Sequence, residues 1–191
     1  MAVQRVGSPG ALTVLLSVAA EPDGSLLVGG WFRGSFEGLP GTPLGDSRAL
    51  WARVPASGAP SWVRTAPTAD KPGYLTSGAV PEVMIDAQGG EHVILVERGT
   101  FDVGLGPHTS TDFQNVGDLF VLDLGPEGSV TAQRLVASGV ENDVGRYEVQ
   151  AQADADGLVL CGSFRVQAGA ALGSDQDAGG KGQVYVARLA P

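Results

Sequence analysis

The sequence is poor in three features that would narrow its function: cysteine, positive charge and long apolar runs. Its single cysteine, Cys161, excludes an internal disulfide and a zinc site built on cysteines. Lysine and arginine total 12 against 21 aspartates and glutamates, a net charge of -9, and no basic run is present to bind phosphates. No apolar stretch reaches the roughly 20 residues of a membrane helix. We therefore expect neither nucleic-acid binding nor membrane insertion.

Sequence motifs of common enzymes and metal sites are also missing. There is no Gly-x-Ser-x-Gly elbow, no His-Glu-x-x-His helix and no phosphate loop ending in Gly-Lys-Ser/Thr. The segments Asp154-Ala-Asp-Gly157 and Asp175-Gln-Asp177 contain parts of a calcium loop but not a full ligand set, and turn chemistry explains the first of them. We expect no cofactor and no metal.

Residues 11–20 look like the apolar part of a secretion signal, because they follow Arg5 and end in Ala-Ala. The same residues stand immediately before a turn, where the other parts of the chain carry strands. We therefore interpret them as a strand, and the sequence contains no convincing signal peptide.

The chain is rich in glycine, with 29 residues, and these separate short apolar runs, as in proteins made of many short strands. Three copies of one pattern recur, a turn with Gly followed by an apolar strand: residues 21–36, 86–101 and 154–165. Each copy predicts a tight turn and a buried strand. The fold class predicted from this is all-β.

Aligning the copies predicts four antiparallel strands per repeat, in the first repeat at residues 12–20, 26–32, 48–54 and 61–66. The repeats form one domain, 1–191, with units at about 12–66, 80–136 and 147–189. The third unit stops before its fourth strand. Val3-Gln-Arg5-Val6-Gly7 matches the fourth-strand segment Ala132-Gln-Arg134-Leu-Val136, so we expect residues 3–7 to complete that unit.

This pattern resembles the bacterial β-propeller-repeat family, whose units carry Asp-x-x-Gly, Gly-x-Phe, Asp-x-Phe-Val-Ala-Lys-Leu-Asp and a Trp in the last strand. The matching segments are Asp23-Gly24, Gly30-Trp-Phe32, Asp118-Leu-Phe-Val-Leu-Asp123, Val184-Tyr-Val-Ala-Arg-Leu189 and Trp62. The chain departs from the family in two ways. The second repeat has Glu97 where the first has Phe32, and the third strands have Arg or no basic residue where the family has Lys. The resemblance implies β-propeller-type four-stranded blades and a scaffold that is exported or on the cell surface.

We predict long loops at one end of the sheets, both between the second and third strands of each repeat and between blades. At the other end we predict turns of about four residues. Long loops on a rigid scaffold commonly carry binding sites, so the loop-rich end is the candidate face. Its candidate binding residues are Tyr74, His108, Asp112, Phe113, Asp175 and Asp177. We assign no catalytic residue, because His108 stands in a Gly/Pro loop where a polar surface role is more common.

Two functions remain open at this point. The preferred one is a non-catalytic scaffold or binding module for a protein or a glycan. The alternative is a glycan-active hydrolase with carboxylates near a central channel, where the first strands contribute only Ser17, Asp86, Gln150 and Gln152. Three blades form either a very tight ring or half of a six-bladed ring closed by a homodimer. A three-bladed ring would need very wide angles between neighbouring sheets, so we expect the homodimer.

Overall fold

A computed structural model of the chain describes residues 12–34, 47–66, 81–97, 100–109, 116–141, 149–154, 157–166 and 183–189. Within these ranges the regular elements are β-strands, apart from one 3-10 turn at Pro126–Gly128. All paired strands are antiparallel. The all-β prediction is confirmed.

The first repeat forms a four-stranded sheet, sheet one, with its strands in chain order. These strands are β1 (Leu12–Ala20), β2 (Leu26–Arg33), β3 (Ser47–Val54) and β4 (Trp62–Thr65). All four lie where the repeat pattern predicted them. A bulge at Leu16 interrupts the pairing of β1 with β2.

The second repeat forms sheet two, again with its four main strands in chain order. These are β5 (Glu82–Ile85), β6 (Glu91–Glu97), β9 (Val116–Leu124) and β10 (Val130–Glu141). Two features were not predicted. The β6–β9 connection contains a small hairpin of β7 (Thr100–Phe101) and β8 (His108–Thr109). Strand β10 also continues to residue 141, beyond the predicted end at 136, because its last residues pair with both β9 and the third repeat.

The third repeat contributes sheet three, made of β11 (Val149–Asp154), β12 (Gly157–Val166) and β13 (Gln183–Leu189), with β12 in the middle. A short pairing of β10 with β12 joins sheets two and three. The predicted fourth strand, residues 3–7, lies outside the described residues. The described strands do not close into a ring or barrel.

Two apolar cores hold the sheets together face to face. The larger one lies between sheets one and two and includes Trp51, Leu95 and Phe120. The second lies between sheets two and three and includes Ile94 and Leu160. Sheet two is therefore the middle layer, which is why its strand β6 is buried from His92 to Glu97.

Burial of the second strand on both faces was predicted for all three repeats, and it is confirmed fully only for β6. In sheet one Leu26 is exposed, and in sheet three Val159 and Cys161 are half-buried. In sheet one the exposure is confined to that first residue of β2, since Leu27 and Val28, which lie on opposite faces, are both buried.

The first strands of the repeats lie side by side, with β1 against β5 and β5 against β11. The Ser17 hydroxyl accepts a 2.9 Å hydrogen bond from the Val83 N–H and donates one of 3.3 Å to its carbonyl. Strand β2 approaches the start of β5 so closely that a Cβ on Gly29 would lie 2.5 Å from the Pro81 oxygen. Glycine at position 29 thus permits the approach of repeat two to repeat one.

Candidate functional site

The strand topology gives the stacked sheets two different ends. At one, which we call the short-turn end, residues 21–25, 55–61, 86–90 and 125–129 connect neighbouring strands. At the other, the loop-rich end, longer connections leave β2, β6 and β12 and link one repeat to the next. The lopsided loop lengths predicted from the sequence are therefore present.

Of the six candidate binding residues, one is within the described part of the chain. That residue is His108, on β8 at the loop-rich end of sheet two. The other five, Tyr74, Asp112, Phe113, Asp175 and Asp177, lie outside the described residues.

The β7–β8 hairpin fixes the position of His108. Its loop is ordered by Asp102, whose Oδ1 accepts hydrogen bonds from the N–H groups of Gly104 at 2.7 Å and Gly106 at 3.1 Å. At its open end the hydroxyls of Thr100 and Thr109 are 2.9 Å apart. A short hairpin with its own hydrogen bonds is a defined support for one side chain.

The imidazole of His108 is held by a buried acid and two aromatic rings. Its Nε2 lies 2.7 Å from Oδ2 of Asp118, and the Asp118 side chain is only 4% exposed. The ring centroids of Phe120 and Phe101 lie 4.8 and 5.6 Å from that of His108. Since a carboxylate only accepts hydrogen bonds, Nε2 carries a proton in this contact, and in the neutral form of the ring Nδ1 is an acceptor.

A second acid, Glu97, stands directly opposite Asp118 in the pairing of β6 with β9 and is fully buried. The register puts both acids on the face of sheet two that meets sheet one, as it does Phe120. The surroundings of His108 are thus acidic and apolar. Such a site disfavours an anionic ligand and suits a group that donates a hydrogen bond.

The second histidine, His92, lies at the short-turn end in a different arrangement. Its Nδ1 is 2.8 Å from Oδ1 of Asp123 and its Nε2 is 3.0 Å from Oδ2 of Asp86. Arg134 donates a 2.9 Å hydrogen bond to the same Asp123 oxygen. Both ring nitrogens face carboxylates, so the imidazolium form satisfies the whole network.

Asp86 also closes the turn after β5. Partial burial acts to raise its pKa, but hydrogen bonds from His92 and from the N–H groups of Gly90 and Gln88 lower the pKa of Asp86 below its usual value. These contacts occupy both carboxylate oxygens. The role of Asp86 is therefore to hold the turn and His92 together.

Sheet one has a charge network at the same end, centred on Arg53, which contacts Glu21 of the first repeat. The Arg53 guanidinium also lies 3.8 Å from Glu91 of sheet two, so it links the two sheets at the short-turn end. Nearby, Asp23 accepts hydrogen bonds from the hydroxyl and N–H of Ser25, which lower the pKa of Asp23. Gly24 has a φ of 83°, as the predicted turn requires.

Sequence reasoning missed the His92 network, although a signal for it is present. Aligned repeats place His92 where the first repeat has Leu27 and the third has Val159. They also place Asp123 where the others have Arg53 and Arg188. Exchange of an arginine for an acid together with a new histidine indicates a rearranged charge network.

The four predicted channel residues do not form a carboxylate cluster. Ser17 is hydrogen-bonded to β5, Asp86 is hydrogen-bonded to His92, and Gln150 and Gln152 are exposed. The acid that sequence reasoning overlooked is Glu82 on β5. Burial raises the pKa of Glu82, and a hydrogen bond that its carboxylate accepts from the Ala151 backbone N–H offsets part of that effect.

Comparison with protein-family models, with curated proteins and with solved structures finds no match for this chain. In the part of the chain that the structure describes, no three acidic, histidine or cysteine side chains are arranged to hold a metal ion. The described ranges also contain no helix of the length and apolarity needed to cross a bilayer.

Proposed function

We propose that the protein is a non-catalytic β-propeller-type scaffold or binding module whose loop-rich end binds a protein or a glycan. The observation that carries this proposal is the state of His108. Its ring is fixed by Asp118 and two phenylalanines, its side chain is 29% exposed, and within the described residues Nδ1 has no hydrogen-bond partner. A pre-oriented, accessible acceptor on a rigid sheet is what a recognition site requires.

The propeller assignment is supported by the repeated stacking of sheets and by the contact between their first strands. The family resemblance to propeller repeats points the same way, and it suggests an exported or cell-surface protein. In such scaffolds the function is located in the loops and not in the sheets.

The binding site is tested with a glycan array and affinity capture, each run with wild-type protein and two variants. His108→Ala should weaken binding to the recovered ligand at least ten-fold, because it removes the accessible acceptor. Gln88→Ala changes an exposed residue of the opposite end and should bind as wild type. Equal binding by all three proteins would contradict a site at His108.

The second candidate function is a glycan-active hydrolase, and Glu82 is the observation that favours it. A carboxyl whose pKa is raised by burial has the property of a general acid. The nearest acid along the chain is Asp86, directly after the same strand, but four residues of extended chain span about 13 Å, beyond the roughly 5–9.5 Å between glycosidase carboxyls. The binding module is therefore preferred. Hydrolysis of an array glycan that Glu82→Gln abolishes would reverse the preference.

A further inference from the structure

The β7–β8 hairpin carries an exposed apolar side chain three residues before His108. That residue is Leu105, in the loop between the two short strands, and it is 48% exposed. The loop is ordered, because Asp102 accepts hydrogen bonds from the N–H groups of Gly104 and Gly106. Both glycines have a positive φ, 100° and 102°, which favours glycine at these positions. Leu105 is therefore presented to solvent by a loop of defined shape.

Turn chemistry does not explain a leucine at this position. Each of the four turns at the short-turn end also contains a glycine with a positive φ. The residue before that glycine is polar in all four turns: Asp23, Ser57, Gln88 and Glu127. In the hairpin the residue before Gly106 is Leu105. Polar and small residues are the usual choice in such turns, so the leucine departs from the pattern of this chain.

Packing within the protein does not explain Leu105 either. The other apolar residue of the loop, Val103, packs against the core between sheets one and two. Phe101, on the first strand of the hairpin, belongs to that core. Among the described residues, Leu105 belongs to none of the apolar clusters. The hairpin thus directs two of its apolar side chains into the protein and one out of it.

The aromatic rings beside His108 are not open to a ligand. Phe101 and Phe120 are only 2% and 1% exposed. Small ligands are usually bound in concave sites lined by apolar and aromatic side chains. Here the aromatic rings are covered, and the exposed apolar group lies in the loop of a hairpin. This arrangement suits a partner that supplies the pocket itself, as the surface of a folded protein does.

We propose that the partner at the loop-rich end is a protein, which receives Leu105 in an apolar pocket and donates a hydrogen bond to Nδ1 of the neutral His108 ring. This inference rests on the proposed function and decides between its two classes of partner. An apolar anchor beside a polar contact is a common arrangement in protein interfaces. Since the loop is already ordered, binding loses less conformational entropy than it would with a flexible loop.

Charge narrows the partner further. The chain has a net charge of -9, and the buried acids Glu97 and Asp118 lie in the same part of sheet two as His108. An acidic surface is repelled by such a site, whereas a neutral or basic one is tolerated or attracted. We therefore expect the pocket for Leu105 to lie on a neutral or basic protein surface.

The first experiment recovers the partner by photocrosslinking in an extract of cells that express the protein. The photoreactive residue benzoylphenylalanine replaces Leu105 in the full chain. The matched control carries it at Leu135, which is 50% exposed but lies on β10. We expect a protein adduct from position 105 and none of that mass from position 135. Equal adducts from both positions would contradict a specific contact at Leu105.

The second experiment measures the affinity of the purified partner for four proteins: wild type, Leu105→Ser, His108→Ala and Leu135→Ser. Leu105→Ser and His108→Ala should each weaken binding at least ten-fold, and Leu135→Ser should bind as wild type. Leu105 is exposed, so Leu105→Ser should leave the urea midpoint unchanged, which separates loss of binding from loss of folding.

The results distinguish this inference from the proposed function on which it rests. Unchanged affinity of a folded Leu105→Ser variant would overturn the protein contact proposed here. A glycan that requires His108 but binds wild type and Leu105→Ser equally would overturn it too, and would leave the proposed function intact. Unchanged affinity of His108→Ala would contradict the proposed function itself.

Discussion

Sheet two carries a histidine beside an aspartate at each of its ends, and the two pairs differ in what they leave free. At the short-turn end both nitrogens of His92 face acids, and Arg134 joins the same network. At the loop-rich end His108 contacts one acid, Asp118, through Nε2, and its side chain is 29% exposed. A fully occupied network supports the fold, whereas an incomplete one on a rigid support is available to a ligand.

Strand β5 shows the same contrast between its ends in two acids. Asp86, at the short-turn end, is held ionised by hydrogen bonds that lower its pKa. Glu82, at the loop-rich end, has a pKa raised by burial, so the fold disfavours its charged form. The short-turn end thus favours the charged form of its acid, and the loop-rich end favours the neutral form of its acid.

The largest effect is expected where the short-turn end fastens sheet one to sheet two. Trp51 is buried between the sheets, and its Nε1–H donates a 3.3 Å hydrogen bond to the Gly128 carbonyl in the 3-10 turn. Trp51→Ala should reduce the free energy of unfolding by about 3–5 kcal/mol, through lost burial and a cavity. Urea unfolding measures the change, with Leu135→Ala as an exposed control. A loss below about 1 kcal/mol would show that the sheets do not depend on this contact.

The next largest effect on stability is expected at the two histidines, which can be compared directly. His92→Ala leaves two partly buried acids without their shared hydrogen-bond partner and should cost about 2–4 kcal/mol in unfolding free energy. His108→Ala removes a half-exposed ring with one acid and should cost roughly 1 kcal/mol. Urea unfolding of both variants at pH 7 gives the comparison. If His108→Ala proved as destabilising as His92→Ala, then His108 would be a structural residue and the two ends would not differ.

Local patterns in the sequence predicted the sheets well. The repeated turn and apolar run located β2, β6 and β12, because a buried strand after a Gly turn is encoded by adjacent residues. The β7–β8 hairpin was not predicted, since Thr100–Phe101 and His108–Thr109 are too short to give a periodic signal. These two-residue strands depend on Asp102 capping the loop between them.

The candidate site was predicted less completely, because its geometry depends on contacts between distant residues. His108 was identified from its place in a long loop, but its partner Asp118 was interpreted only as part of a strand motif. The two residues meet because the hairpin folds back onto β9, and no spacing rule connects them. Long-range pairing of this kind decides which polar residues become a site.

The smallest effects concern pH, and their signs should be opposite at the two ends of β5. The folded pKa of Asp86 is lowered from 3.8, so its contribution to stability is present above pH 3.8 and is lost as the pH falls through the folded value. Asp86→Asn should therefore be less stable than wild type at pH 7. The difference should shrink below about pH 3.8, where the unfolded acid is protonated as well.

Glu82 should behave in the reverse way. Its folded pKa is raised from 4.5, so the stability of the neutral form is present below pH 4.5 and is lost as the pH rises through the folded value. Glu82→Gln stays neutral at every pH, so it should match wild type near pH 3.5 and exceed its stability at pH 7. Urea midpoints for wild type and both variants at pH 3, 5 and 7 measure these changes. Shifts of the same sign at pH 7 would show that the two ends of β5 treat a negative charge alike.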